Sequence, residues 1–221
     1  MTLLPHGGSL INRFRSNADY KQIKHQIELD PISLSDLECM ANGAFSPLDS
    51  FMNKKDYLSV LYHMRLASGL PWSLPITLRV SEQKAKELTK INKAILIYEN
   101  VVYGKIEITD IYQPDHLLES QLVYRTENSS HPGVQKLKKR GNWYVGGSIT
   151  MVDQPPRKVA PYYYLDPVTT REQFKTKGWE KVAAFYLQKI ALEQMDGLLL
   201  HPLVGETKQD EIPATVRMKS Y

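Results

Sequence analysis

The residues with the most chemical potential lie near the end of the sequence. His201 closes an apolar run, Leu198-Leu199-Leu200, and Lys208 and Arg217 follow in the next loop. If the run is a strand of a parallel sheet, its C-terminal edge is where such folds collect ligands. A lysine and an arginine there could meet phosphate or sulfate oxygens through charge-assisted hydrogen bonds. A plainer reading competes for each. His201 has no partner to define a role, which favours a structural histidine bonded to the following loop. Lys208 and Arg217 share their loop with Glu206, Asp210 and Glu211. Anion contact and a solvated charged loop stay equally open for them.

Other candidates are weaker. Lys136-Leu137-Lys138-Lys139-Arg140 is the densest basic run. It would suit an RNA backbone, but no aromatic ladder interleaves the charges. A solvated helix end before Gly141 is the better reading. Tyr162-Tyr163-Tyr164 could stack bases; packing a linker against a domain suits amphipathic rings better. His6, His25, His63, His116 and His131 are scattered, and Cys39 is the one cysteine. No zinc-type spacing follows from them. Cys39 reads as a small packed residue. Gly7-Gly8 and Gly146-Gly147 read as turn glycines, because neither pair opens a helix after a strand at phosphate-loop spacing.

The elements that must position these residues fall into two styles. The first is rich in strands. Residues 1 to about 30 read as a loop followed by a polar helical stretch. Ser33–Met40 reads as a short helix capped by Ser33 or Ser35, with Leu34, Leu37 and Met40 on one face. Gly43–Phe51 is turn-rich. Lys54–Met64 carries Tyr57, Val60, Leu61 and Met64 at helical spacing. Pro75–Val80 alternates as a strand does. Ala94–Tyr98 and Val101–Tyr103 form a hairpin around Glu99-Asn100. Lys105–Tyr112 and Ser148–Val152 read as further short strands. Together they suggest a small β-barrel decorated by helices. Gln154–Lys158 reads as a linker.

The second style begins after Arg171–Lys177, a helical turn. Lys181–Phe185 is an apolar run. Tyr186–Met195 places Leu187, Ile190, Ala191 and Met195 at helical spacing, and Gly197 ends it as a C-cap residue does. With Leu198–Leu200 this is a β-α-β unit, the start of an α/β fold. The expected division is 1–165 and 166–221. Within the second unit the step from Phe185 to Tyr186 is abrupt. A strand-to-helix connection normally takes about two to six residues, and here no capping or turn residue supplies one.

Composition sets outer bounds. The 221 residues are 42% hydrophobic and 24% charged, ordinary for a globular protein. The formal net charge is +4, which permits nucleic acid and an anionic small substrate alike. No apolar run approaches the roughly 20 residues of a membrane helix. No signal-peptide pattern opens the chain. A single cysteine suits a reducing cytoplasm, which is the expected location.

Several stretches resemble one family. Pro5-His6-Gly7-Gly8, Gly43 to Met52 (GAFSPLDSFM), Leu70 to Leu78 (LPWSLPITL), His131 to Val134 (HPGV), Tyr144 to Gly147 (YVGG) and Asp196 to Tyr221 (DGLLLHPLVGETKQDEIPATVRMKSY) are similar to sulfate adenylyltransferases, also called ATP sulfurylases, of the bacterial type. The resemblance implies a PUA-like β-barrel followed by a Rossmann-like nucleotidyltransferase domain. It implies ATP, with Mg²⁺, and sulfate as substrates, giving adenosine 5′-phosphosulfate and pyrophosphate in sulfate assimilation, and no tightly bound cofactor. It also implies a homo-oligomer, or association with a full-length sulfurylase. In the family, a Q-T-R-N-P and H-R-A-H segment lies between the first catalytic strand and its helix. Here Phe185 runs straight into Tyr186, so none of that principal motif is present. A further G-R-D-type loop would fall beyond Tyr221. The resemblance thus implies a nucleotidyltransferase with negligible turnover. A non-catalytic assembly module and an RNA-binding PUA-like module are the alternatives.

Overall fold

The computed structural model describes residues 5–139, 141–156 and 166–169. Its helices start where short polar side chains can hold free amides. Asp30 caps α1 (Pro31–Ala41), its carboxylate accepting from the Ser33 amide at 2.7 Å. Pro31 occupies the first turn, where no amide hydrogen is needed. The helix expected at Ser33–Met40 is therefore real but starts earlier. Its cap is Asp30 rather than Ser33 or Ser35. Leu34, Leu37 and Met40 are buried, on the expected face. Asn53 caps α2 (Lys54–His63), accepting from the Asp56 amide at 2.9 Å. Met64 turns left-handed, at φ 51°, and ends it. Tyr57, Val60 and Leu61 are buried as expected, but Met64 is half exposed. The chain has already left the helix there, so its periodicity no longer applies.

Two helices have no counterpart in the sequence reading. Ser81 caps α3 (Glu82–Leu88) and Asp115 caps α4 (His116–Val123). Seven and eight residues are too few for a clear 3.6-residue pattern. The basic run ends α5 (Pro132–Lys139).

Six strands make one mixed sheet: β1 (Gln26–Glu28), β2 (Ser50–Phe51), β3 (Leu78–Val80), β4 (Lys93–Tyr98), β5 (Val101–Tyr112) and β6 (Trp143–Met151). Their order is β1-β4-β5-β6-β2, with β3 also paired to β6. β1 runs parallel to β4, and the other pairs are antiparallel. The helical stretch expected before residue 30 is instead turns followed by β1. Ile27 is buried between exposed Gln26 and Glu28, and Leu29 just beyond is buried too, which is strand alternation. The β4–β5 hairpin turns at Glu99 and Asn100, with φ of 50° and 63°, as a two-residue hairpin loop with primed twist requires. Lys105–Tyr112 is not a separate strand. It continues from Val101 as one twelve-residue β5, with a register shift between Ile108 and Asp110. Of Pro75–Val80, only β3 pairs.

Gly146 and Gly147 are not turn glycines. They lie inside β6, which starts five residues before the expected Ser148. A Cβ at Gly146 would sit 2.7 Å from Asn53 Cα, and one at Gly147 would overlap the Glu107 carbonyl. The pair is there so that β5 and the cap of α2 can approach β6 closely. Gly7 and Gly8 do turn, at φ 74° and 85°.

The core gathers Leu37, Met40, Phe51, Leu78, Leu96 and Ile106, each essentially inaccessible. Such burial is worth about 1.5–3 kcal/mol per large apolar side chain. α1 packs onto the sheet where Gly104 opens space: a Cβ there would lie 3.2 Å from Leu37 Cδ2. α2, α4 and α5 contact one another in series. Asp166 is buried and accepts from the Thr169 amide, and the Val168 amide donates to Asn42 at the end of α1. Arg157 and Lys158 of the expected linker, Tyr162–Tyr164 and every element expected from Arg171 onward lie outside the described residues. Among the described residues no helix is long and apolar enough to cross a membrane.

Candidate functional site

The first candidates, His201, Lys208 and Arg217, also lie outside the described residues. What the structure does bring together is a buried polar cluster centred on Glu119. Asp115 fixes the start of α4 by accepting from the Leu117 and Leu118 amides, both at 3.0 Å. Helical spacing then puts His116, Glu119 and Ser120 on the inward side. Glu119 is 2% exposed. Its Oε2 accepts from the Tyr57 hydroxyl at 2.9 Å and the Tyr144 hydroxyl at 2.8 Å. Arg79 Nη2 lies 3.6 Å from Oε1, with the arginine side chain 11% exposed. One carboxylate therefore draws on α2, β3, α4 and β6.

The rings reinforce it. Tyr144 meets Tyr57 and Tyr112 edge-on, with centroids 5.5 and 5.7 Å apart. The Arg79 guanidinium sits over the Tyr144 ring at 5.4 Å, a cation–π arrangement. The Tyr112 hydroxyl donates to the Met52 carbonyl at 2.9 Å. Burial first, then the Glu119 charge, pushes the Tyr57 and Tyr144 hydroxyls well above ordinary phenol values. Tyr112 is raised by burial and by Tyr144 beside it. These phenols stay protonated and keep donating. His116 is held below its ordinary value, mainly by burial and also by Arg79, against the opposing pull of Glu119 and Asp115.

Chemically this cluster is a clamp, not a reaction centre. A carboxylate 2% exposed and a guanidinium 11% exposed offer no room for a substrate. Its work is to hold two helices against the sheet. The sequence reading missed it because it missed α4; Pro114-Asp115 ahead of Leu117 and Leu118 was the available signal, as a helix start.

A second gathering joins stretches that carried the family resemblance. His6 Nε2 donates to the Pro71 carbonyl at 2.9 Å, and its ring leans on Trp72. Phe45 meets Trp72 edge-on at 5.9 Å. Ser46 Oγ accepts from the Ile11 amide, and Gly7 packs against Pro47 so closely that a Cβ would collide. The PHGG, GAFSPLDSFM and LPWSLPITL stretches thus meet at one place and act as architecture. Elsewhere the basic run is solvated: Val134 and Leu137 face inward, while Lys136, Lys138 and Lys139 are exposed. Of the other histidines, His25 pairs with Glu87 at 3.1 Å, and the His131 ring lies against Tyr124. Among the described residues no three His, Cys, Asp or Glu side chains are grouped to hold a metal.

This mixed sheet with capped helices on its faces is a PUA-like domain, and residues 3–154 match the family model of that description. That match covers more than half of the chain, which belongs to the PUA-like family; residues 161–221 match the ATP-sulfurylase family model. It is 42% identical to the sulfate adenylyltransferase of Synechococcus sp. (strain JA-3-3Ab), over 98% of this chain and 60% of that protein. It is 40% identical to that of Nostoc punctiforme, over 99% of this chain and 60% of the relative. The chain therefore spans about 60% of the length of these relatives. A solved structure described as a hexameric APS kinase from Thiobacillus denitrificans shares the fold, with TM-score 0.57 and 21% identity over 80% of this chain and 32% of that one.

Proposed function

We propose that this chain is a sulfate adenylyltransferase-type protein, built for ATP and sulfate, whose own turnover is negligible. The reading rests on one observation. The alignment to the Nostoc protein has 240 positions, 19 more than the 221 residues of this chain. At least that many positions, internal to the matched stretch, have no counterpart here. A gap of this kind agrees with the abrupt Phe185–Tyr186 step, where the family carries its Q-T-R-N-P and H-R-A-H segment.

The chemistry explains why such a loss matters. Sulfate is already ionised and needs no general base. Its oxygen attacks the α-phosphorus of ATP in line, a new O–P bond forms, and pyrophosphate leaves with the electron pair of the broken bond. The barrier lies in bringing two anions together and stabilising the growing charge. That requires cationic and amide donors at a helix N-terminus beyond a strand end. Mg²⁺ would accompany the ATP phosphates. His201, Lys208 and Arg217 are the remaining candidate contacts, in a second domain of residues 166–221 beside a PUA-like domain of residues 1–165. The reading places the protein in the cytoplasm, as a homo-oligomer or alongside a full-length sulfurylase. The same gap favours a second role, as a non-catalytic assembly module of such an oligomer.

Equilibrium titration with ATP and Mg²⁺ tests the site. A charged hydrogen bond is worth about 1.5–3 kcal/mol, so Lys208→Ala with Arg217→Ala should weaken ATP binding by tenfold or more. Unchanged affinity in that double variant would remove both residues from the site.

A further inference from the structure

His116 stands at the first turn of α4 with its Nε2 shielded from solvent and facing no hydrogen-bond partner among the described residues. Arg79, in the same cluster, has Nε and Nη1 equally shielded and unpartnered. We propose that His116 makes the packing of α4 against the sheet acid-labile, so that its protonation releases α4 and opens the Glu119 clamp.

The argument starts from hydrogen positions. A neutral imidazole can keep its one proton on Nδ1 and leave only a lone pair at Nε2. Protonation forces a hydrogen onto Nε2, where no acceptor faces it. A buried donor left unmade is costly. The new charge would also sit at a helix N-terminus, where the dipole already disfavours a cation.

The surrounding charges divide. Arg79 approaches from β3 and opposes a second cation. The Tyr144 ring from β6 lies 6.1 Å from the imidazole and supplies no acceptor for Nε2. Glu119 and Asp115, on α4 and its cap, favour protonation, yet Glu119 is already engaged by Tyr57, Tyr144 and Arg79. Burial and Arg79 prevail, and His116 titrates below its ordinary value.

The sign follows from linkage. The native state binds fewer protons at His116 than the unfolded chain does. Stability from this residue is complete above the ordinary histidine value of about 6.5. It is lost progressively as pH falls from there toward the native titration point, and then levels off. Each pH unit of depression lowers the closing equilibrium by up to tenfold.

The device would couple acidification to exposure of the α2–α4 face, with Glu119 released first because α4 carries it. Leu117, already 54% exposed on α4, shows that this helix is only partly covered.

The test compares the 221-residue chain with His116→Gln. Amide-exchange protection of α4, corrected for intrinsic rates, is followed from pH 7.5 to 5.0 beside that of β5 and β6. The expected result is a loss of α4 protection below about pH 6.5 in the parent, by severalfold or more, with the strands unchanged. The variant should lose much less. A direct nuclear magnetic resonance titration of the His116 ring in the parent provides the second readout if the variant does not fold. A native titration point at or above 6.5, or equal acid sensitivity of α4 in both proteins, would overturn the proposal.

Discussion

Removing the two hydroxyls that hold Glu119 should cost more together than apart. Tyr57→Phe and Tyr144→Phe each delete one hydrogen bond to Oε2, of 2.9 and 2.8 Å, and leave the ring in place. A hydrogen bond to a charged group contributes about 1.5–3 kcal/mol. After one deletion Oε2 still has the other phenol, so each single change should cost near the lower end, about 1.5 kcal/mol. After both, a carboxylate 2% exposed retains, among the described residues, Arg79 at 3.6 Å. The double change should then cost about 4–5 kcal/mol, exceeding the sum of the single costs by roughly 1–2 kcal/mol, as expected for groups sharing one partner. Against a total stability of about 5–15 kcal/mol, that is from about a third to nearly all of the fold's margin. In a Glu119→Leu background the same tyrosine changes should be near neutral, because the hydroxyls have lost their acceptor. Urea midpoints at constant slope measure all of these. Single changes within about 0.5 kcal/mol of the parent, adding without coupling, would refute the clamp.

Two further outcomes follow from the same geometry. Gly147→Ala should cost about 3 kcal/mol or prevent folding, since its Cβ would overlap the Glu107 carbonyl between β5 and β6; thermal denaturation reads it. At alkaline pH the raised phenols of Tyr57, Tyr112 and Tyr144 should stabilise the fold fully below about pH 10. That stability should be lost as pH rises above it, because unfolded tyrosines ionise there and the buried ones resist. Absorbance at the phenolate band should show these groups ionising together with loss of circular dichroism.

The long local patterns were readable in the sequence, and the tertiary ones were not. Leu34, Leu37 and Met40 declared α1, and Tyr57, Val60 and Leu61 declared α2, because three or four buried residues at helical spacing leave a strong period. Glu99-Asn100 marked its hairpin because few residues tolerate that turn. Gly146-Gly147 misled, because a glycine needed for close approach looks the same in sequence as one needed for a turn. β1 was missed because it is three residues long and only Ile27 among them faces inward, and α4 because eight residues carry too little period. The Glu119 clamp was invisible for a deeper reason: its members, 57, 79, 112, 116, 119 and 144, meet only after the sheet has formed. The family resemblance rested on stretches that prove architectural where the structure describes them, so it located the fold better than it located chemistry.

The central claim is that these residues provide the frame of a sulfate adenylyltransferase without the cationic cradle that makes two anions react. Pyrophosphate release by the 221-residue chain in ATP, Mg²⁺ and sulfate tests it most directly, beside a full-length family enzyme as reference. The account predicts release no faster than in the absence of protein. Sulfate-dependent pyrophosphate release at a rate comparable to that of the full-length enzyme would contradict it.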